Sequence, residues 1–201
     1  ASVSGSVQGS QVELMLDSGL STGMVTPGLA KQLGLRTAGS AQGEAAGGAA
    51  RVELVEIPDV ILACGEKLGP LTAIVSDFPQ ESADKSLPLG GMLGYNAFQN
   101  YDVDIDFPKA TFRLWRSGEG IAAARAVRMR EVEGVLLPEV GILGVRVMAP
   151  GGGGAAAALG VIDTGAAFSA INSAAAPALG VTATPGGPEM VAVGVDGKPM
   201  K

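Results

Sequence analysis

Val12, Leu14 and Leu16 alternate with Gln11, Glu13 and Met15, a period-two pattern that predicts a strand delivering its end to Asp17. A further apolar stretch leads to Thr26, a natural N-cap, with Pro27 at the first helical position and Gly34 as the stop. That spacing predicts a helix of about two turns. Small residues from Gly39 to Gly48, followed by the strand-like Arg51–Ile57, predict a hairpin with a mobile tip. Gly90-Gly91-Met92-Leu93-Gly94 then runs into a short helical turn around Asn96–Gln99. Strands are predicted over Tyr101–Phe107 and Thr111–Trp115.

The pattern then repeats. Asp17-Ser18-Gly19 through Leu35 aligns without a gap onto Asp163-Thr164-Gly165 through Val181. Each copy runs from an apolar strand into Asp-(Ser/Thr)-Gly, then through apolar residues into a short helix ending Leu-Gly-(Leu/Val). Upstream of the second copy, Gly134–Leu137 and Ile142–Val147 are predicted strands, and Gly151–Ala158 a flexible loop. The glycine run there lacks the Lys-Ser/Thr of a phosphate-binding loop. Val191–Lys198 is predicted to be a second hairpin turning at Asp196-Gly197. The predicted organisation is a first unit at residues 1–117, a linker at 118–133 and a partial second unit at 134–201. By the alignment Lys201 corresponds to Val55, so the second unit has no counterpart of the first beyond that point.

Composition narrows the chemistry. The 201 residues hold no histidine, which excludes Ser-His-Asp and Cys-His machinery and histidine-ligated metal sites within this sequence. Cys64, the only cysteine, has no partner for an intrachain disulfide, and its apolar neighbours predict a small buried side chain. These absences fit an intracellular or organellar setting better than a secreted one, and the Ala/Gly-rich composition places a plastid among the candidates. A net charge of −6 argues against a nucleic-acid partner. No apolar run reaches the ~18 residues a membrane span requires, and a soluble protein is expected. Asp102, Asp104 and Asp106 share one strand face and are expected to be solvated rather than to bind a cation. No metal and no cofactor is expected.

A carboxylate duplicated with its local scaffold suggests two acids presented to one site. Two close carboxyls cannot both ionise cheaply, so the pair keeps one proton over a wide pH range. The ionised member can then deprotonate a water that attacks a peptide carbonyl, while the protonated member donates to the developing oxyanion. Ser18 and Thr164 are placed to tie the turns together, and Gly19 and Gly165 to let backbone approach the acids.

Apolar-apolar-Asp-(Ser/Thr)-Gly, the helix ending Leu-Gly-Leu, the Gly-rich hairpin and Met92-Leu93-Gly94 before a short helix together resemble the retropepsin and pepsin superfamily of aspartic peptidases. The resemblance covers nearly all of 1–117 and the front of a unit from about 134 to 201. It implies an all-β acid-protease fold of two related lobes with short helices, the second lobe incomplete. It further implies an aspartic endopeptidase with Asp17 and Asp163 as the dyad, supported by Ser18, Gly19, Thr164 and Gly165. Flaps over an extended peptide substrate are implied at Gly43, Gly47 and Gly48 and at Val193, Gly194, Asp196 and Gly197. Leu20 stands where the family usually has a small residue, and neither flap has the tyrosine found in pepsins, which points to the retropepsin branch. Three arrangements stay open: one bilobal chain, a homodimer pairing two first lobes through Asp17, or an inactive peptide-binding scaffold.

Overall fold

The computed structural model describes residues 1–45, 48–120, 122, 134–137, 142–149, 156–182 and 184–187. Most of the regular structure among the described residues is β. The first unit is built on strands β1 (Ser2–Val7), β2 (Ser10–Leu16), β3 (Gly23–Val25), β4 (Arg36–Ala45), β5 (Gly48–Ile57), β6 (Val60–Leu62), β7 (Lys67–Leu68), β8 (Leu71–Val75) and β9 (Leu89–Leu93). They form one nine-stranded sheet in the order β4-β5-β8-β3-β9-β2-β1-β6-β7. Strands β10 (Tyr101–Asp106) and β11 (Thr111–Arg116) pair as a separate hairpin. A three-stranded sheet, β12 (Gly134–Leu137), β13 (Ile142–Met148) and β14 (Ala156–Val161), carries the second unit.

The alternation in β2 does what a half-buried strand must: Val12, Leu14 and Leu16 are buried in the core with Val7, Val25 and Leu93. Glu13 departs from the expected outward polar position and is also buried. Its carboxylate accepts hydrogen bonds from Ser82 Oγ at 2.7 Å and Asp84 N at 2.9 Å, which fasten the segment before β9 onto β2. Burial alone would raise the Glu13 pKa, but hydrogen bonds from Ser2, Ser82 and the Ala83 and Asp84 N–H groups outweigh it and hold the carboxyl below its ordinary value.

Helix α1 (Pro27–Leu33) has the ends the sequence predicts. Thr26 Oγ1 accepts from Leu29 N at 3.3 Å, Pro27 opens the helix, and Gly34 closes it at φ 58°. Helix α2 (Tyr95–Phe98) follows β9 directly. The repeat has a shorter helix, α3 (Ala175–Ala178), whose N-cap Ala174 offers no side-chain cap; Asn172, the counterpart of Thr26, accepts from Ala175 N at 2.7 Å from the turn before it.

Strand β9 is the keystone of the first sheet. It lies parallel to β2, with Leu14 opposite Gly91 and Leu16 opposite Leu93, and antiparallel to β3 on its other edge. A side chain at Gly91 would run into the Met24 carbonyl, so three backbones meet here only because that residue is glycine.

Three local expectations need correction. Cys64 is exposed, because β6 stops at Leu62 and Cys64 rides on the turn into β7 that Gly65 N closes by donating to Leu62 O at 2.8 Å. Ala156–Ala158 belong to β14 rather than to a loop, since pairing with β13 satisfies their backbone better than solvent does. The Gly39–Ala45 stretch is strand, paired with β5 as far as Ala45 opposite Gly48, and Arg51 bonds Ser40 across the ladder. The hairpin predicted at 191–198 lies outside the described residues.

Candidate active site

The two Asp-(Ser/Thr)-Gly turns meet. Asp17 leaves the end of β2 with its N–H donating to Leu93 O of β9 at 3.0 Å, and Gly19 N donates to Asp17 Oδ1 at 2.9 Å. The outgoing chain is held by α2, where Tyr95 N donates to Leu20 O at 2.8 Å. Asn96, which the sequence did not mark as a positioning residue, accepts from Gly23 N at 3.0 Å and donates to Thr72 O at 2.8 Å. It binds the strand after the turn to β8. An amide two residues behind a Gly-capped helix start was the available signal. On the second turn, Asp163 Oδ1 accepts from Gly165 N at 2.8 Å and Ala166 N at 3.0 Å.

The contacts between the turns are reciprocal atom for atom. Ser18 Oγ accepts from Thr164 N at 3.0 Å and donates to Ile162 O at 2.6 Å. Thr164 Oγ1 accepts from Ser18 N at 3.1 Å and donates to Leu16 O at 2.9 Å. Each hydroxyl thus uses its donor and its acceptor on the opposite turn, binding the residue just before the opposite aspartate.

The glycines show the same reciprocity. A Cβ on Gly19 would fall 2.6 Å from Asp163 Cγ, and one on Gly165 would fall 2.5 Å from Asp17 Oδ2. Each carboxyl therefore packs on the bare backbone of the other turn. Asp17 is half-buried and Asp163 is exposed. Burial first, and then the charge of Asp163, push the Asp17 carboxyl up from 3.8 to about 6; N–H groups of Gly19 and Leu20 pull the other way without cancelling this. Against the turns lies a cavity of about 270 Å³ lined by Leu16, Asp17, Ser18 and Thr164, together with aromatic and aliphatic side chains of α2 and the β10–β11 hairpin.

A pKa raised in the folded state makes stability fall as pH rises, because the native chain binds more protons than the unfolded one between about pH 4 and about 6. Asp17→Asn removes that cost. Its melting temperature should exceed the parent's at about pH 7.5, with the gain vanishing near pH 3.5, as calorimetry across that range would read.

Of the other predicted site residues, Gly43 lies within β4 and Gly48 opens β5, while Gly47, Val193, Gly194, Asp196 and Gly197 fall outside the described residues. The aspartates of β10 are separately engaged. Asp102 accepts from Gly118 N and Gly120 N, Asp104 pairs with Arg113, and Asp106 pairs with Lys109. Among the described residues no group of three or more acidic or cysteine side chains is arranged to hold a metal ion, and no helix is long and apolar enough to cross a membrane.

The family model of aspartyl proteases matches residues 3–97, which contain the first Asp-Ser-Gly turn, the β4–β5 hairpin and the β9–α2 element. No curated protein matches the chain. The all-β architecture is that of an aspartic protease fold, and over residues 3–97 the chain is similar to the aspartyl protease family.

Proposed function

We propose that the chain is an aspartic endopeptidase in which Asp17 and Asp163 form one catalytic dyad, with residues 1–117 and 134–201 acting as two lobes joined by 118–133. The supporting observation is the atom-for-atom reciprocity of the two turns, which sets each carboxyl against the glycine of the other turn. Asp17, the more buried acid, retains the shared proton. Asp163, whose Oδ1 accepts two N–H groups, acts as base on the water.

In the attack step the water gives its proton to Asp163 as its oxygen bonds to the peptide carbon, while Asp17 donates to the carbonyl oxygen. As the resulting diol collapses, one of its hydroxyls gives its proton back to Asp17 and Asp163 gives its proton to the leaving nitrogen while the C–N bond breaks, which restores the starting protonation of the pair. The substrate is an extended peptide lying under the β4–β5 hairpin, held by backbone hydrogen bonds with alternate side chains in pockets. Ser18, Gly19, Thr164 and Gly165 keep the acids in place.

A second reading, a peptide-binding scaffold without turnover, draws support from the exposure of Asp163 and of the apolar residues around it. Incubating the chain with a denatured-proteome peptide library from about pH 4 to about pH 8 separates the two. The endopeptidase cleaves, with activity declining as pH rises past about 6, where Asp17 loses its proton. Peptide retention without cleavage at any pH marks the scaffold.

A further inference from the structure

Among the described residues Glu13 is the only charged side chain that is buried, at 3 % exposed, and the proposed chemistry makes no use of it. It sits on β2, the strand that delivers Asp17, and grips the segment entering β9 by main chain and side chain together. Its N–H donates to Pro88 O at 2.9 Å, while its Oε2 accepts from Ser82 Oγ at 2.7 Å and from Asp84 N at 2.9 Å. Ser2 of β1 and the Ala83 N–H add to the same carboxyl. Asp84 then closes the turn into β9, its carbonyl accepting from Leu87 N at 3.1 Å and its Oδ1 from Ser86 N at 2.9 Å. One carboxyl thereby fixes the point at which the chain enters β9.

That entry point matters because β9 and β2 do not run in simple register. Leu89 lies opposite Glu13 but Gly91 lies opposite Leu14, so β9 carries one residue more, Gly90, at this step. A Cβ on Gly90 would fall 2.8 Å from Val12 Cβ, so the extra residue fits only without a side chain. Beyond it the ladder runs in step to Leu16 opposite Leu93, and Leu93 O accepts from Asp17 N at 3.0 Å. A slip of one residue would exchange the faces of Met92 and Leu93 and set a different carbonyl against Asp17. Strand β3 holds the other edge of β9, with Thr26 N donating to Gly90 O at 3.0 Å, but β3 leaves the Asp turn rather than entering it. Parallel strands have no short hairpin to hold their register, and on the β2 edge the upstream hold is Glu13. A buried carboxylate is a costly way to gain stability and a directional way to fix a register. We propose that Glu13 is a positioning residue for the dyad, its clamp with Ser82 and Asp84 setting the register of β9 and, through Leu93 O, the place at which β2 presents Asp17. This rests on the reading of Asp17 and Asp163 as a catalytic pair.

The test compares Glu13→Ala, Ser82→Ala and Glu13→Gln in the full chain by peptide hydrolysis and by carboxyl-carbon NMR titration of Asp17. Glu13→Ala should lower kcat by about a hundred-fold and the milder Ser82→Ala by about ten-fold. KM should stay within about two-fold, since neither residue lines the cavity at the dyad. In both variants the Asp17 titration should move down from about 6, as its burial loosens. Glu13→Gln should stay close to the parent, because the Ser82 and Asp84 bonds both end on Oε2 and an amide oxygen can take its place. Leu68→Ala is the control: Leu68 is buried in β7, at the far edge of the same sheet, and its truncation should lower the melting temperature at least as much while leaving kcat and the Asp17 titration alone. Three results overturn the proposal: an Asp17 titration unmoved in Glu13→Ala and Ser82→Ala while their melting temperatures fall; equal effects from Leu68→Ala; or a Glu13→Gln as impaired as Glu13→Ala. Should the parent cleave no peptide, the endopeptidase reading fails separately, and the Asp17 titration, which needs no turnover, still decides whether Glu13 positions that acid.

Discussion

Asp17→Asn and Asp163→Asn should each lower peptide hydrolysis by roughly a thousand-fold or more, the scale expected when one half of a general acid–base pair is removed. Asparagine keeps the shape and can still accept from Gly19 N or Gly165 N, so the turns should stay locked through Ser18 and Thr164. What disappears is the proton inventory. In Asp17→Asn the shared proton has no buried carboxyl to reside on; in Asp163→Asn the water has no base. Because the residues act as a unit, the double variant should be scarcely worse than either single one. Initial rates on the best peptide from the library measure this. Loss with Asp17→Asn alone would mean that two first lobes from separate chains pair through Asp17.

The second large effect belongs to the glycines that carry no chemistry. Gly165→Ala would place a methyl 2.5 Å from Asp17 Oδ2, and Gly19→Ala would do the same to Asp163. Each carboxyl is held by N–H groups of its own turn, so it can yield only by giving up those bonds. The turns must separate, breaking the bonds of Ser18 and Thr164. A displacement of about 1 Å is enough to cost roughly a hundred-fold in rate, and a lowered melting temperature should accompany it. Gly28→Ala is the matched control. That glycine is exposed, sits inside α1 and has nothing within 4 Å of its missing Cβ, so alanine should stabilise by about 0.5–1 kcal/mol without touching activity.

Local rules carried the sequence analysis a long way where the determinants were themselves local. Thr26, Pro27 and Gly34 mark the ends of α1 because capping is decided within one helical turn. The two turns were legible because a duplicated Asp-(Ser/Thr)-Gly brings its own hydroxyl and its own glycine, whatever surrounds it. Burial that depends on distant chain was not legible. Glu13 occupies a polar position in an alternating strand, and only the segment around Ser82 and Asp84, far along the sequence, turns it into a buried clamp. Cys64 reads as core from its aliphatic neighbours, yet the strand ends two residues earlier and the turn lifts it into solvent. Nor does spacing reveal that the two acids differ, with Asp17 tucked against β9 and Asp163 open to solvent, since that asymmetry follows from which strands cover each turn.

Carboxyl-carbon NMR titration of Asp17 in the parent chain and in Asp163→Asn tests the central claim, that the two turns of one chain form a single proton-sharing site. The prediction is a parent titration centred at about 6 that moves downward once Asp163 is neutralised, part of the way only, because burial, the larger cause, remains. An Asp17 that titrates at an ordinary carboxyl pKa, or that is indifferent to the loss of Asp163, would contradict the account.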